Sequence, residues 1–345
     1  MATFKILSID GGGLRGVVPV TILKKIEELT GKPIHESFDL ISGTSTGGLI
    51  TSALTVPKDP ADKTEGAKYS LDDILNIYLT KGQIIFPPRH NELGILISDI
   101  DATVCPKYNG NGIAQVFTEV LGDTRLNDCL TDVMICCYDL ANNFPLLFTT
   151  SASKSNADQN ISMYDICRAT SAGPTYLPAY ELDYPEADKQ FTRRLCIDGG
   201  VFINNPSLGA LSEFSKNHVY YGFGKENEDI NYDDVFVLSI GTGSYSGPIT
   251  AEQAKDKGEL FWATRISDIM MRGANKQTDI EMNEMMVAGN YLRLSINIED
   301  EAFSAMDRAD RACSDYLIYQ TNKQVLDVED TKQKLQAFLN KAGLV

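Results

Sequence analysis

Over the first fifty residues, short unbroken apolar runs alternate with stretches whose apolar positions recur every three or four residues. FKILSI (4–9) is short, apolar and closed by glycines, which predicts a buried strand. VVPVTILKKIEELTG (17–31) carries apolar residues at helical spacing, with Pro19 in the first turn and Gly31 as a stop. SFDLIS (37–42) predicts a second strand and TGGLITSALT (46–55) a second helix. Strand, helix, strand, helix in so short a span predicts an α/β fold, with a mostly parallel central sheet flanked by helices on both faces. Further strands are expected at 132–138, 145–150, 195–197, 235–240 and 291–295, and helices at 71–80, 112–121, 163–171, 207–217, 260–287 and 313–340. The segments 56–70, 82–111, 151–160, 184–193 and 222–233 read as loops. Within 82–111 the apolar IIFPP and LGILI mark a candidate lid or site mouth. No repeat, low-complexity tract or flexible linker divides the chain, so one domain over 1–345 is expected, with a motif-bearing core at about 4–245 and a helical part at about 250–345.

Charge narrows the partners. Lys and Arg number 31 against 47 Asp and Glu, a net charge of −16. Such a balance argues against nucleic acid and against electrostatic docking on anionic membranes, while leaving apolar contact with lipid open. The seven cysteines (105, 129, 136, 137, 167, 196, 313) form no C-x-x-C pair and no zinc spacing, so reduced thiols and no metal site are expected. No basic and apolar leader of the Sec type opens the chain, and no apolar run approaches the roughly 18 residues of a membrane span. The expected location is cytoplasmic, with export by other signals left open.

The chemistry starts at ILSIDGGGLRG (6–16), whose glycines at 11, 13 and 16 fit the dinucleotide-binding fingerprint. That reading needs an acidic residue at the end of the second strand to take the ribose hydroxyls. Asp39 stands near the start of that strand instead, Asp10 puts a carboxylate beside the supposed phosphates, and no Lys-Ser/Thr pair follows the glycines. At the strand's end stands G-x-S-x-G: Gly43-Thr44-Ser45-Thr46-Gly47. Between strand and helix this is the setting of a nucleophile elbow, which presents the Ser45 hydroxyl at the carboxyl edge of the sheet. Gly11, Gly12 and Gly13 also leave the carboxyl end of a strand and are expected at the same edge of the sheet. Their N–H groups, at the positive end of helix 17–31, form a candidate nest for a phosphate or for the oxyanion of a tetrahedral intermediate. One such donor is worth about 3–4 kcal/mol of barrier. Arg15 is a candidate to stabilise the loop, to meet a charged headgroup, or to form a surface salt bridge.

The base is less obvious. His35 and His218 fall at the wrong end of the sheet, and His90 sits in a loop with nothing of a triad around it. LCIDGGVFINNP (195–206) instead reads as a short strand ending in Asp198, with Gly199 and Gly200 allowing a tight turn. Asp198 is thereby expected at the carboxyl edge near Ser45, although a D-G-G turn with no catalytic part competes with that reading. Burial would raise its pKa from about 3.9 and improve it as a base.

D-G-G-G-x-R-G, G-T-S-T-G and D-G-G in this order resemble the patatin-like phospholipases, the plant patatins and their bacterial homologues. FDLISGTSTGGLITSAL, CPKYNGNG, LGDTRLNDCLTDVMI, MYDICRATSAGPTYLPAY and VLSIGTG are similar to patatin segments in corresponding order, with a fainter echo in ANKQTDIEMNEMMVAGNYLRL. The resemblance implies a three-layer α/β sandwich related to the α/β-hydrolases. It also implies a serine lipid acyl hydrolase of phospholipase A type, working through a Ser-Asp dyad and a covalent acyl-enzyme, without calcium, metal or cofactor. Carried over, Ser45 is the nucleophile, Asp198 the base, and Gly11, Gly12, Gly13 and Arg15 the oxyanion hole. Gly200 stands where plant storage patatins carry alanine. The implied partner is a membrane or micellar lipid touched peripherally; an activating protein or small molecule stays open, as does the oligomeric state. The rival reading is a catalytically silent or activator-gated interaction module.

Overall fold

The computed structural model describes residues 3–88, 105–185, 191–225, 230–245, 247–258, 261–262 and 265–345. Its central sheet contains, in chain order, β1 (Phe4–Ile9), β2 (Leu40–Thr44), β3 (Asp132–Asp139), β4 (Phe144–Thr149), β5 (Tyr180–Pro185), β6 (Phe191–Asp198), β7 (Val235–Ile240) and β8 (Tyr291–Leu294). The spatial order is β8-β7-β1-β2-β3-β6-β5, with β4 also on β3. Every pairing from β8 to β3 is parallel, whereas β4, β6 and β5 add antiparallel. The fold is the expected mostly parallel sheet covered on both faces.

Side chains alternate across β1 as strand geometry requires. Leu7 and Ile9 face the core beneath α1 (Val17–Thr30), which Ile41, Leu238 and Ile240 extend along the sheet. α2 (Thr46–Thr55), α3 (Leu71–Ile85), α8 (Arg311–Thr321) and α9 (Glu329–Lys341) contribute to the same core. Farther along this face Val133, Ile135 and Cys137 pack against α4 (Asn111–Leu121) and α5 (Met163–Thr170). Phe4 and Ile6 point the other way, with Leu40, Met134 and Val237, toward α6 (Ser207–Lys216) and α7 (Ile266–Met285). Local chemistry sets several helix ends. Ser70 caps α3 in a box with Asp73, Ser162 accepts from the Asp165 N–H at the start of α5, and Gly31 ends α1 at φ 65°.

Several boundaries differ from the sequence pattern. The strand expected at 37–42 begins at Leu40, because Ile34–Ser37 makes a helical turn first. A strand absent from the expected pattern runs over 180–185 at the sheet edge. Glu181 and Asp183 face out, while Tyr180, Leu182 and Tyr184 turn to the core, and the alternation is too short and polar to stand out in YELDYP. A small hairpin (57–59 with 62–67) occupies part of the expected loop 56–70. The helix expected at 313–340 divides at a wide turn over 322–326. α3 runs on through Ile85, taking up the apolar pair of IIFPP, while LGILI and His90 lie outside the described residues.

Candidate active site

β2 and β6 meet end to end on one edge of β3. β2 lies parallel to β3 and stops with Thr44 opposite Cys136. β6 comes from the other direction, antiparallel, and stops with Asp198 opposite Cys137, the next position along. The other edge of β3 there is taken by β4. Ser45 and Asp198 therefore leave two strands that point at one another. Asp198 is not at the carboxyl edge of a parallel strand, as the sequence pattern suggested; it arrives there because β6 runs the opposite way.

Ser45 occupies the sharp turn into α2 at φ 55°, ψ −121°, a conformation that non-glycine residues seldom hold and that stores about 1–3 kcal/mol. The flanking glycines are needed for space. A Cβ on Gly43 would collide with the carbonyl of Gly47, and one on Gly47 with the carbonyl of Ile9 in β1. The Ser45 N–H donates to Thr170 Oγ1 at 2.8 Å, whose own hydroxyl donates to the Cys136 carbonyl at 2.6 Å. Thr170, at the end of α5, thus ties the elbow to β3; nothing in the sequence motif marks it.

Loss of hydration raises the Asp198 carboxyl to about 6, against the opposing pull of the Ser45 hydroxyl and the Gly200 N–H, which donates to Oδ1 at 2.7 Å. Gly199 passes so close to the Cys136 carbonyl that no side chain fits. His35 lies in the turn before β2, and His218 follows α6 with Nδ1 on the Ser215 carbonyl, both away from this site.

The glycine loop divides its work. The Gly11 N–H donates to the Asn204 carbonyl at 3.0 Å, and the Gly11 carbonyl accepts from Thr242 Oγ1 at 2.6 Å, so Gly11 anchors the loop. Gly12 and Gly13 line the cavity beside Ser45, and among the described residues their N–H groups have no protein acceptor. Gly13 adopts φ 59° with the Met306 carbonyl against it, a position closed to other residues. Arg15 does not line the cavity. It is buried below the loop with Nη1 on the Ser304 carbonyl at 3.1 Å, and burial pulls its pKa down. It is neither a surface ion pair nor a headgroup contact, but holds the loop from beneath.

Asp10 also turns inward. Its Oδ2 pairs with Arg293 Nη2 at 2.5 Å and its Oδ1 with Nη1 at 3.2 Å. Asn275 bridges Asp10 and Asn204 at 3.3 and 3.2 Å. Sequence reasoning found none of Arg293, Asn275 or Asn204 as loop supports. Asn204 alone left a signal, in the INNP that follows D-G-G.

Ser45, Asp198, Gly12 and Gly13 open on one cavity of about 300 Å³, walled mainly by apolar groups including Phe86, Leu177, Met271 and Met306. A hydroxyl against a poised carboxylate, with free N–H groups beside it, suits acyl transfer to serine. Among the described residues no group of three or more His, Cys, Asp or Glu is placed to hold a metal ion.

A protein-family model described as "Patatin-like phospholipase" matches residues 7–211. "Patatin-like protein 2" of Oryza sativa subsp. indica is 32% identical over 337 residues, 91% of this chain and 81% of that protein. "Patatin-2-Kuras 3" of Solanum tuberosum is 32% identical over 329 residues, with the same shares of 91% and 81%. "Probable inactive patatin-3-Kuras 1" of the same plant is 32% identical over 307 residues, 85% of this chain and 78% of its own. Among solved structures, VipD from Legionella pneumophila aligns with 94% of this chain and 67% of its own at 12% identity and a TM-score of 0.37.

Proposed function

Because the chain belongs to the patatin-like phospholipase family, we propose that it is a lipid acyl hydrolase of phospholipase A type, with Ser45 as nucleophile and Asp198 as base. Ser45 Oγ attacks the ester carbonyl while its proton passes to the Asp198 carboxylate. The tetrahedral oxyanion is held by the N–H groups of Gly12 and Gly13, with Gly11 and Arg15 fixing the loop that carries them. Collapse returns the proton from Asp198 to the departing lysolipid oxygen and leaves an acyl-Ser45 ester. Asp198 then takes a proton from water, whose oxygen attacks that ester; collapse breaks the bond to Ser45 Oγ, which takes the proton back from Asp198 as the fatty acid leaves.

The observation that carries this reading is geometric: the ends of β2 and β6 bring Ser45 and Asp198 onto one cavity with Gly12 and Gly13, and burial there lifts the Asp198 carboxyl to about 6. A base with that proton affinity is matched to work near neutrality, which an ordinary aspartate is not. The apolar walls suit an acyl chain. Calcium has no part in the scheme, and the protein acts at lipid by peripheral contact; no helix among the described residues is long and apolar enough to cross a membrane.

A serine-directed fluorophosphonate probe is expected to label the protein and not Ser45→Ala. Mass spectrometry of mixed phospholipid vesicles should reveal released fatty acid and lysolipid, unchanged by EDTA. Lipid hydrolysis that survives in Ser45→Ala overturns the mechanism. The relative named as probably inactive favours a second reading, a silent or activator-gated module. Turnover that appears only when cell extract is added would support it.

A further inference from the structure

Three large apolar side chains do two things at once: Val201, Ile266 and Met270 line the cavity that holds Ser45 and are also 38%, 45% and 57% exposed. Val201 belongs to the turn that follows Asp198, while Ile266 and Met270 stand one turn apart at the start of α7. Trp262, 37% exposed, is linked to this end of α7 through its carbonyl, which accepts from the Arg265 N–H at 2.9 Å. Its ring meets Phe261 edge-on at 5.2 Å. α7 also exposes Ile280 and Met285 near its other end, but those two lie outside the cavity lining, whereas Ile266 and Met270 stand at its mouth.

Resting on the acyl hydrolase reading above, we propose that Val201, Trp262, Ile266 and Met270 form the face by which the protein settles on an electrically neutral, zwitterionic lipid surface. Apolar groups at a mouth leave water when they enter the acyl boundary, and tryptophan favours that boundary because its ring is apolar and its N–H is polar. The same contact lets an acyl chain pass from lipid into the cavity without crossing water. The protein's charge selects the surface: at −16 it is repelled by anionic lipid, whereas a zwitterionic bilayer offers the apolar contact without that repulsion.

Trp262 is the chain's sole tryptophan, so its emission reports this contact directly. The probe is phosphatidylcholine vesicles added to Ser45→Ala, which prevents product accumulation. The expected result is a blue shift, quenching by lipids brominated near the headgroup, and protection from aqueous acrylamide. Salt should leave binding to phosphatidylcholine nearly unchanged and strengthen the weaker binding to phosphatidylserine vesicles. Ile266→Asp with Met270→Asp, in the Ser45→Ala background, should lower vesicle co-sedimentation at least tenfold. Wild-type hydrolysis of vesicles with Trp262 emission unshifted and still open to acrylamide overturns the docking face, as does undiminished binding of the folded double variant. Insertion of Trp262 in a protein that no fluorophosphonate labels and that releases no fatty acid supports the docking face and overturns the hydrolase reading instead.

Discussion

Asp198 carries the largest consequence of a single side chain's surroundings. Its carboxyl lies at about 6 in the folded protein, through dehydration, against 3.8 for an ordinary aspartate. In the proposed mechanism Asp198 acts unprotonated, so kcat/KM should rise with pH and level off with a midpoint near 6, measured on a soluble ester from pH 4.5 to 8. The linkage to stability has the opposite sense. A folded-state pKa above the unfolded value means that the native protein binds this proton more tightly, so stability falls as pH rises toward 6. Asp198→Asn should therefore lower the rate about 10²- to 10⁴-fold yet raise Tm by about 2–4 °C at pH 7.5. Scanning calorimetry should find that gain gone below about pH 4. Nothing local in C-I-D-G-G distinguishes this aspartate from a turn-former; the neighbours that dehydrate it come from distant segments.

At the scale of elements, the elbow was legible because its requirements are local. A serine at φ 55° between glycines follows from a strand turning directly into a helix, and G-T-S-T-G spells out that turn. Gly47→Ala would drive α2 off β1, because the new Cβ meets the Ile9 carbonyl. Fluorophosphonate labelling should fall at least about a hundredfold, the penalty that misplacing a reacting group brings. Thr170 was illegible, since it reaches the elbow from α5, 125 residues away. Thr170→Val leaves the Ser45 N–H and the Cys136 carbonyl without this partner, a loss of about 1–3 kcal/mol. Urea unfolding should register that loss, and kcat should drop more than KM rises. The sequence pattern runs α8 and α9 together, whereas a wide turn over 322–326, with Val325 buried, separates them.

Across the whole molecule, the two ends of the chain meet at the glycine loop. β8 adds to the sheet beside β7, and from it Arg293 reaches Asp10 across 283 residues. Arg293→Met would strand a buried carboxylate, at about 3–5 kcal/mol, and the loop would lose its alignment. Adding Asp10→Asn should restore most of the lost Tm, since no buried charge then remains unpaired. We further propose that residues 1–345 work as one catalytic unit. α8 and α9 cover the same core as α1, and removing residues 250–345 would expose Phe236, Leu238 and Ile240. That fragment should be insoluble; a soluble, probe-labelled fragment 1–249 would refute the proposal.

The sequence by itself determined the strand that ends at the glycines and the elbow that carries Ser45. Each depends on contacts within a few residues, and composition records such needs directly. Tertiary structure alone decided how those pieces face one another. Register along β3 set Asp198 one position from the end of β2, although β6 runs antiparallel. Contacts across nearly two hundred residues and more turned Gly11 into an anchor, buried Arg15 and left Gly12 and Gly13 as the free donors. Strand pairing and buried polar contacts join segments far apart in the chain, and no local pattern of residues encodes which segment will arrive.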